Sequence, residues 1–351
     1  MAQMPSVGQM LRTARRWLRS RDLSYQEKLA REVENYRAVE NVHDLPQIFH
    51  YWSNKYLVPK YRQFGFSNPK DFYRLYMSQA CQEHRGEERL CFVSIGSGNC
   101  DIEIEIIESL WAAGTRNFVL ECLDINPHML DRGRSLARQR QITDAISFIQ
   151  ADINSWRPSQ KYQIIMANQA LHHFVELEML FDKAYGALTP DGFFLSDDRI
   201  GRNGHMRWPE TLEILDRIWS DLPAKYKYNH QLKRLEMEFD NWDCSKEGFE
   251  GIRAQDILPL LIKKFHFELF VAYGNLIDAF IERSFGHNFD PANQADLDFI
   301  DRIHFMDEDY LERGVIKPTH MTAAMVKQEA AKKTYKHLTP EFCVRWPNTV
   351  K

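Results

Sequence analysis

"FVSIGSGNCD", residues 92–101, runs an apolar stretch into two closely spaced glycines and stops on an acid. A strand feeding a G-x-G turn and then a helix brings backbone close to a ligand at the carboxyl edge of a sheet. Dinucleotide enzymes seat a pyrophosphate on that helix N-terminus, and they ordinarily carry a third glycine in G-x-G-x-x-G. Here the last position of that pattern is Asp101, and Glu103 and Glu105 follow within the next turn. Carboxylates at a helix start stabilise the helix, but they repel a bound diphosphate at a few ångströms.

A ligand without phosphate and with some positive charge is the better match. S-adenosylmethionine carries a sulfonium and an ammonium against one carboxylate, so it is the expected cofactor. An NAD(P)-dependent oxidoreductase is the disfavoured alternative. A cofactor-binding regulatory or scaffold protein without catalysis is another.

Outward from this turn, short apolar strands alternate with helical stretches. Strands are predicted at 90–95, 118–123, 146–150, 162–167 and 192–196, with helices at 101–113, 127–140 and 175–188. That rhythm implies a parallel, doubly wound α/β sheet. The stretch "DIEIEIIE" alternates like a strand, yet its place after a glycine turn favours a helix. After Ser196 come helical pieces at about 199–250, including "NHQLKRLEMEF". A helix then reads at 253–265, a sixth strand at 266–274, a helical insertion at about 275–317 and a seventh strand at 319–328. The expected architecture is a Rossmann-like, mostly parallel seven-stranded sheet over 86–330. A helical N-terminal cap over 1–85 precedes it and a tail over 331–351 follows. Aromatic residues crowd 49–76, as core or as a lid lining a substrate pocket.

The chain of 351 residues is 44% apolar and 27% charged, the balance of a globular protein. Its formal charge of −4 gives no argument for nucleic acid as a partner. No apolar run is long enough for a membrane span. Six cysteines without a C-x-x-C pattern suit free thiols in a reducing compartment, and a cytoplasmic enzyme is expected. Residues 1–21 hold five arginines and no acid, which fits an amphipathic packing helix, a targeting element or a membrane-surface element.

Later acids fall at strand ends. Asp124 closes the second strand, where a carboxylate can accept both ribose hydroxyls. Asp152 follows the third, placed for the adenine amino group, with Ile125 and Ile153 beside the ring. Together these residues resemble the class I S-adenosylmethionine-dependent methyltransferase superfamily over roughly residues 88–198. "VSIGSGNCD" is similar to its first motif, "ECLDIN" to its second-strand acid, "ADI" to its third-strand site and "YQIIMANQALHHF" to its fourth strand. The resemblance implies that Gly96, Ser97 and Gly98 bind the methionine end, Asp124 the ribose and Asp152 the adenine. Asn168 and Gln169 would border the transferable methyl. Two departures stand out: Ser94 where the family often has an acid, and Cys100 where it often has a third glycine. They put the hold on the cofactor's ammonium in question.

The methyl acceptor is expected beyond strands four and five. His172 and His173 follow strand four, and imidazole suits a general base near neutral pH. Arg199, Arg202, His205 and Arg207 cluster in "RIGRNGHMR", and arginine suits bidentate recognition of an anionic group. Trp242, Asp243, His287 and Asn288 are further pocket candidates. The histidines lack a metal-ligand spacing such as H-E-x-x-H, so no metal is expected. No N/D-P-P-[YF] motif follows strand four, which leans toward oxygen or carbon over nitrogen. The sequence thus points to a methyltransferase acting on a small polar acceptor, with O-methylation favoured and the oligomeric state open.

Overall fold

The computed structural model describes residues 23–37, 44–84, 86 and 89–346. The arginine-rich stretch at 1–21 lies outside the described residues. Strand β1 spans Leu90–Ile95, β2 Phe118–Asp124, β3 Ile146–Gln150, β4 Tyr162–Asn168 and β5 Leu188–Arg199. Alternate side chains of β1 and β4 enter opposite cores: Phe92, Ile164 and Met166 one, Val93, Ile165 and Ala167 the other. Strands buried on both faces read as continuous apolar runs, and that is how these two read.

A short hairpin pairs β6 (Tyr228–Asn229) with β7 (Arg234–Leu235). The large sheet is completed by β8 (His266–Tyr273), β9 (His320–Val326) and β10 (Lys333–Thr334). Its order is β10-β8-β9-β5-β4-β1-β2-β3. Strands β1 to β5 run parallel, and β9 lies antiparallel between β5 and β8. The fold is therefore α/β and Rossmann-like, with an eighth strand where seven were expected. The extra strand is β10, which the tail lays parallel along β8. Connections leave β1 and β4 in opposite directions, so a crevice opens at their carboxyl ends.

Helices α1 (Tyr25–Asn35), α2 (Gln47–Trp52), α3 (Val58–Arg62) and α4 (Pro69–Glu83) precede the sheet. Helix α1 starts in a capping box, Ser24 with Glu27, which satisfies two otherwise orphaned amides. Phe72, Tyr73 and Tyr76 of α4 are buried against the sheet. Tyr73 donates its hydroxyl hydrogen to the Ala167 carbonyl at 2.9 Å and accepts from the Asp197 amide at 2.9 Å, bridging β4 and β5. "DIEIEIIE" forms helix α5 (Asp101–Ala112), with Ile104, Ile106, Ile107 and Leu110 buried. Helix α6 (Pro127–Gln139) begins on Asn126, whose side chain accepts from the His128 amide. Helices α7 (Leu177–Ala187), α8 (Pro209–Asp221), α9 (Ala254–Lys264), α10 (Asp278–Ile281), α11 (Gln294–Glu312) and α12 (Pro340–Cys343) follow.

One helical expectation is corrected. "NHQLKRLEMEF" is not a helix but part of the β6–β7 hairpin and the chain after it. Asn229 Oδ1 accepts from the Gln231 and Leu232 amides, and Lys233 takes φ 52°. A local side-chain bond of this kind offers the backbone a turn in place of the helix ladder. No helix among the described residues is long and apolar enough to cross a membrane.

Candidate functional site

The crevice holds a cavity of about 720 Å³ that runs from the glycine turn to the far ends of β8 and β9. Gly96 and Gly98 take φ +70° and +55°, and a Cβ on Gly96 would stand 2.7 Å from Ala170 Cβ. Glycine is required there for the backbone to reach the cavity wall. Cys100 follows with φ 60°, buried, so the position of the missing third glycine does keep a left-handed backbone.

At the end of the cavity beside the glycine turn, Asp124 Oδ2 accepts the Gly98 amide and Oδ1 the Asn126 amide, each at 2.8 Å. Burial raises the Asp124 pKa, and those two amides work against the rise. The carboxylate is thus aimed by backbone, and each oxygen retains acceptor capacity toward the cavity. Asp152 lies across from it. Its Oδ1 caps the short turn at Ile153–Ser155 through the Asn154 amide, and its Oδ2 receives the Tyr25 hydroxyl at 2.6 Å. Ser97, Ile125, Ile153, Asn168 and Gln169 also line the cavity. Gln169, at φ 49°, donates from Nε2 to Asp197 Oδ1 at 2.7 Å.

Ser94 is where the acid was missing. Its hydroxyl donates at 2.7 Å to Glu103 Oε1, and Glu103 lines the cavity. Burial lifts the Glu103 pKa to about 7, against the Ser94 bond. A carboxylate therefore does reach this position, carried by the first turn of α5. Its presence in the sequence was plain, but its approach to Ser94 depends on how the turn folds.

Helix α1 and its C-cap contribute Tyr25, Leu29, Glu32 and Tyr36 to the cavity wall near Asp152. Lys28 bonds the Ser245 carbonyl at 2.8 Å, and Asn126 Nδ2 bonds the Val33 carbonyl at 3.1 Å. Nothing in the linear order marked these four residues. From the aromatic-rich stretch, Phe49, Trp52 and Tyr61 reach the cavity, while Phe66, Phe72, Tyr73 and Tyr76 make core.

At the inner end, Asp198 is fully buried and accepts four bonds. They come from the Ala170, Leu171 and Arg199 amides and from His172 Nδ1, the last at 2.6 Å. Burial alone would raise its pKa, but His172 and the amides hold it below the usual carboxylate range. His172 is raised to about 9: burial pushes it down, and Asp198 and Glu250 more than offset that. His173 lies with Nε2 3.4 Å from Glu250 Oε2 and Nδ1 3.0 Å from Glu32 Oε1.

Of the four proposed acceptor-binding residues, Arg199 lines the cavity and Arg202, His205 and Arg207 stand behind its wall. Arg199 bonds Glu282 at 2.7 Å. Arg202 bonds the Arg207 carbonyl at 3.0 Å, and Arg207 approaches Asp278 at 3.6 Å. His205 donates from Nε2 to Glu250 Oε1 at 2.5 Å; burial and then Arg199 depress its pKa to about 4. Trp242, Asp243, His287 and Asn288 do not line the cavity either. Asp278, Glu282 and His320, which sequence reading passed over, do.

Residues 89–252 match the family model of a methyltransferase domain. No curated protein is significantly similar to the chain in sequence. Among solved structures, the chain is similar to a geranyl diphosphate C-methyltransferase from Streptomyces coelicolor A3(2), in complex with Mg2+, geranyl diphosphate and S-adenosyl-L-homocysteine. Identity is 13%, coverage 87% of this chain and 100% of that one, and the TM-score 0.44. It is likewise similar to the O-methyltransferase from a trans-AT PKS multienzyme of Brevibacillus brevis in complex with S-adenosyl-L-homocysteine. There identity is 13%, coverage 87% and 88%, and the TM-score 0.42. Over residues 89–252 the chain is similar to methyltransferase domains.

Proposed function

We propose that the chain is an S-adenosylmethionine-dependent methyltransferase that transfers the cofactor's methyl group to a hydroxyl oxygen of a small polar acceptor bound at the inner end of the cavity. Asp124 would take the ribose hydroxyls, Asp152 the adenine amino group and Gly96–Gly98 the methionine backbone. Glu103 would take the ammonium, replacing the acid absent at Ser94. The 720 Å³ volume supports a small acceptor, because a site of this size holds the cofactor and little more.

The observation that carries the chemistry is the buried Asp198–His172 pair beside Glu250 at the cavity wall. In the transfer, an oxygen lone pair forms the new O–C bond. The methyl–sulfur bond breaks with its electrons left on sulfur, turning the sulfonium into a neutral thioether. The hydroxyl proton passes to His172 once that ring, raised to about 9, has lost its own proton to water, so turnover is expected to rise toward alkaline pH. The protein's contribution is alignment and proton removal, since the leaving group is already activated. Arg199 and His320 on the same wall support an anionic substituent on the acceptor.

Radiolabelled methyl transfer from S-adenosylmethionine into a metabolite extract tests this reading, with the product's methyl ether identified by mass spectrometry. His172→Ala and His173→Ala should lower turnover while leaving cofactor Kd nearly unchanged. Full turnover in both variants defeats the proton-acceptor assignment.

A further inference from the structure

We infer that His172, His173, His205 and Glu250 form a binding site for one divalent first-row transition ion at the acceptor end of the cavity. Three imidazole Nε2 atoms converge on one carboxylate. His172 Nε2 and His205 Nε2 lie 3.4 and 2.5 Å from Glu250 Oε1, and His173 Nε2 lies 3.4 Å from Oε2. Ligand atoms of His172, His173 and Glu250 all lie within 4.8 Å of one another, and His205 stands outside that trio and joins it through Glu250. Four ligands at roughly 2.0–2.1 Å around a tetrahedral ion stand about 3.3 Å apart. The two 3.4 Å separations fit that geometry directly. The third is a hydrogen bond that a sub-ångström opening converts.

The outer shell is also built. Asp198 fixes the His172 tautomer from Nδ1, leaving Nε2 toward Glu250. His173 Nδ1 is buried without a hydrogen-bond partner, although Glu32 Oε1 is only 3.0 Å away. Such carboxylates behind imidazoles orient metal-binding rings. Asp198, Glu32 and Glu250 touch the rings, and an entering ion would take the place of the protons that the raised His172 and His173 hold.

The backbone around the site turns through left-handed residues. His205 takes φ 55° and Gly204 and Gly251 take φ 64° and 65°. The Gly204 amide bonds the Gly251 carbonyl at 2.9 Å, and the Ile252 amide bonds the His172 carbonyl at 3.0 Å. A Cβ on Gly204 would stand 1.9 Å from Asp243 Oδ1. Three separate loops are thus stitched together to bring three imidazoles to the Glu250 carboxylate. The cluster of Asp278, Glu282 and His320 is different, because Arg199 and Arg207 already supply its cations.

A mixed imidazole and carboxylate set suits Zn2+ or Mn2+. The inference rests on the proposed methyl transfer only for the ion's role. Bound there, it would take the acceptor hydroxyl as a further ligand and lower its pKa, with the proton released to water. The loaded rings would then coordinate instead of accepting that proton.

The test is metal binding itself. Protein stripped by chelator is titrated calorimetrically with Zn2+ and with Mn2+, and metal content after dialysis is read by mass spectrometry. One ion per chain is expected, with Kd weakened at least ~100-fold in Glu250→Gln and His205→Ala and unchanged in His230→Ala, an exposed ring elsewhere. Near-native S-adenosylmethionine affinity in the two weakened variants shows that they are folded. No stoichiometric ion in the parent, or binding that survives both substitutions, overturns the inference. Neither result depends on methyl transfer, so its failure is separate from failure of the proposed function.

Discussion

Glu103→Gln should stabilise the empty protein and weaken its hold on the cofactor, two opposite effects from one charge. The Glu103 carboxyl ionises at about 7 instead of the ordinary 4.5 because it is buried. At roughly 1.4 kcal/mol per pH unit, keeping it ionised costs the folded state about 3 kcal/mol above pH 7. Below about pH 4 the carboxyl is protonated both folded and unfolded, so the cost vanishes there. It grows as pH rises from the ordinary value to about 7 and is constant beyond.

Glutamine never bears the charge. Urea unfolding should therefore show Glu103→Gln more stable than the parent by up to ~3 kcal/mol at pH 8, with the two converging toward pH 4. A cofactor ammonium brings back the charge that burial removed. Losing that charge-assisted bond, worth about 1.5–3 kcal/mol, should weaken S-adenosylmethionine roughly 10- to 150-fold. Calorimetry from pH 5.5 to 7.5 should show parent affinity strengthening toward pH 7 and variant affinity flat. An amino group of this kind stays protonated to about pH 7.7, so the cofactor adds little slope of its own. If the variant binds the cofactor as tightly as the parent, with the same pH profile, Glu103 does not meet the ammonium.

Gly96→Ala places a Cβ against Ala170 at a left-handed φ, and should lower stability by ~1–3 kcal/mol and weaken the cofactor; an unchanged Tm refutes the close approach. Tyr25→Phe frees Asp152 Oδ2, and cofactor affinity should rise by up to roughly tenfold, the worth of one hydrogen bond, where weaker binding would show that Tyr25 assists the adenine instead. Asp124→Asn keeps the shape but loses the charge proposed to take the ribose. We expect Kd for S-adenosylhomocysteine to rise about 10- to 100-fold, and unchanged Kd places the ribose elsewhere. Asp198→Asn removes a carboxylate that accepts four bonds, and should cost about 3–5 kcal/mol in urea unfolding; a loss under 1 kcal/mol contradicts the buried pairing with His172.

Much of the fold was legible because strand and helix periods are local. The glycine turn, the five parallel strands and the "DIEIEIIE" helix follow from apolar spacing and from punctuation by glycine and proline. The hairpin at 228–235 was misread because helix propensity is a weak prior, and one Asn229 side chain bonding to the next amides outweighed it. The tail's β10 was invisible because two residues carry no period.

By itself, then, the order of residues determined the strand–turn–helix unit and the acids at its strand ends, whose sign is the ground for proposing a cationic cofactor over a diphosphate. Tertiary structure decided what those charges meet. Glu103 reaches Ser94 only because the left-handed turn at Cys100 sets the start of α5. Glu32, Tyr25 and Glu250 enter the site from loops and a helix far along the chain, where no spacing rule applies. The physical reason is range: backbone periodicity is written within a few residues, while a buried charge finds its partner through packing that the whole chain must first complete.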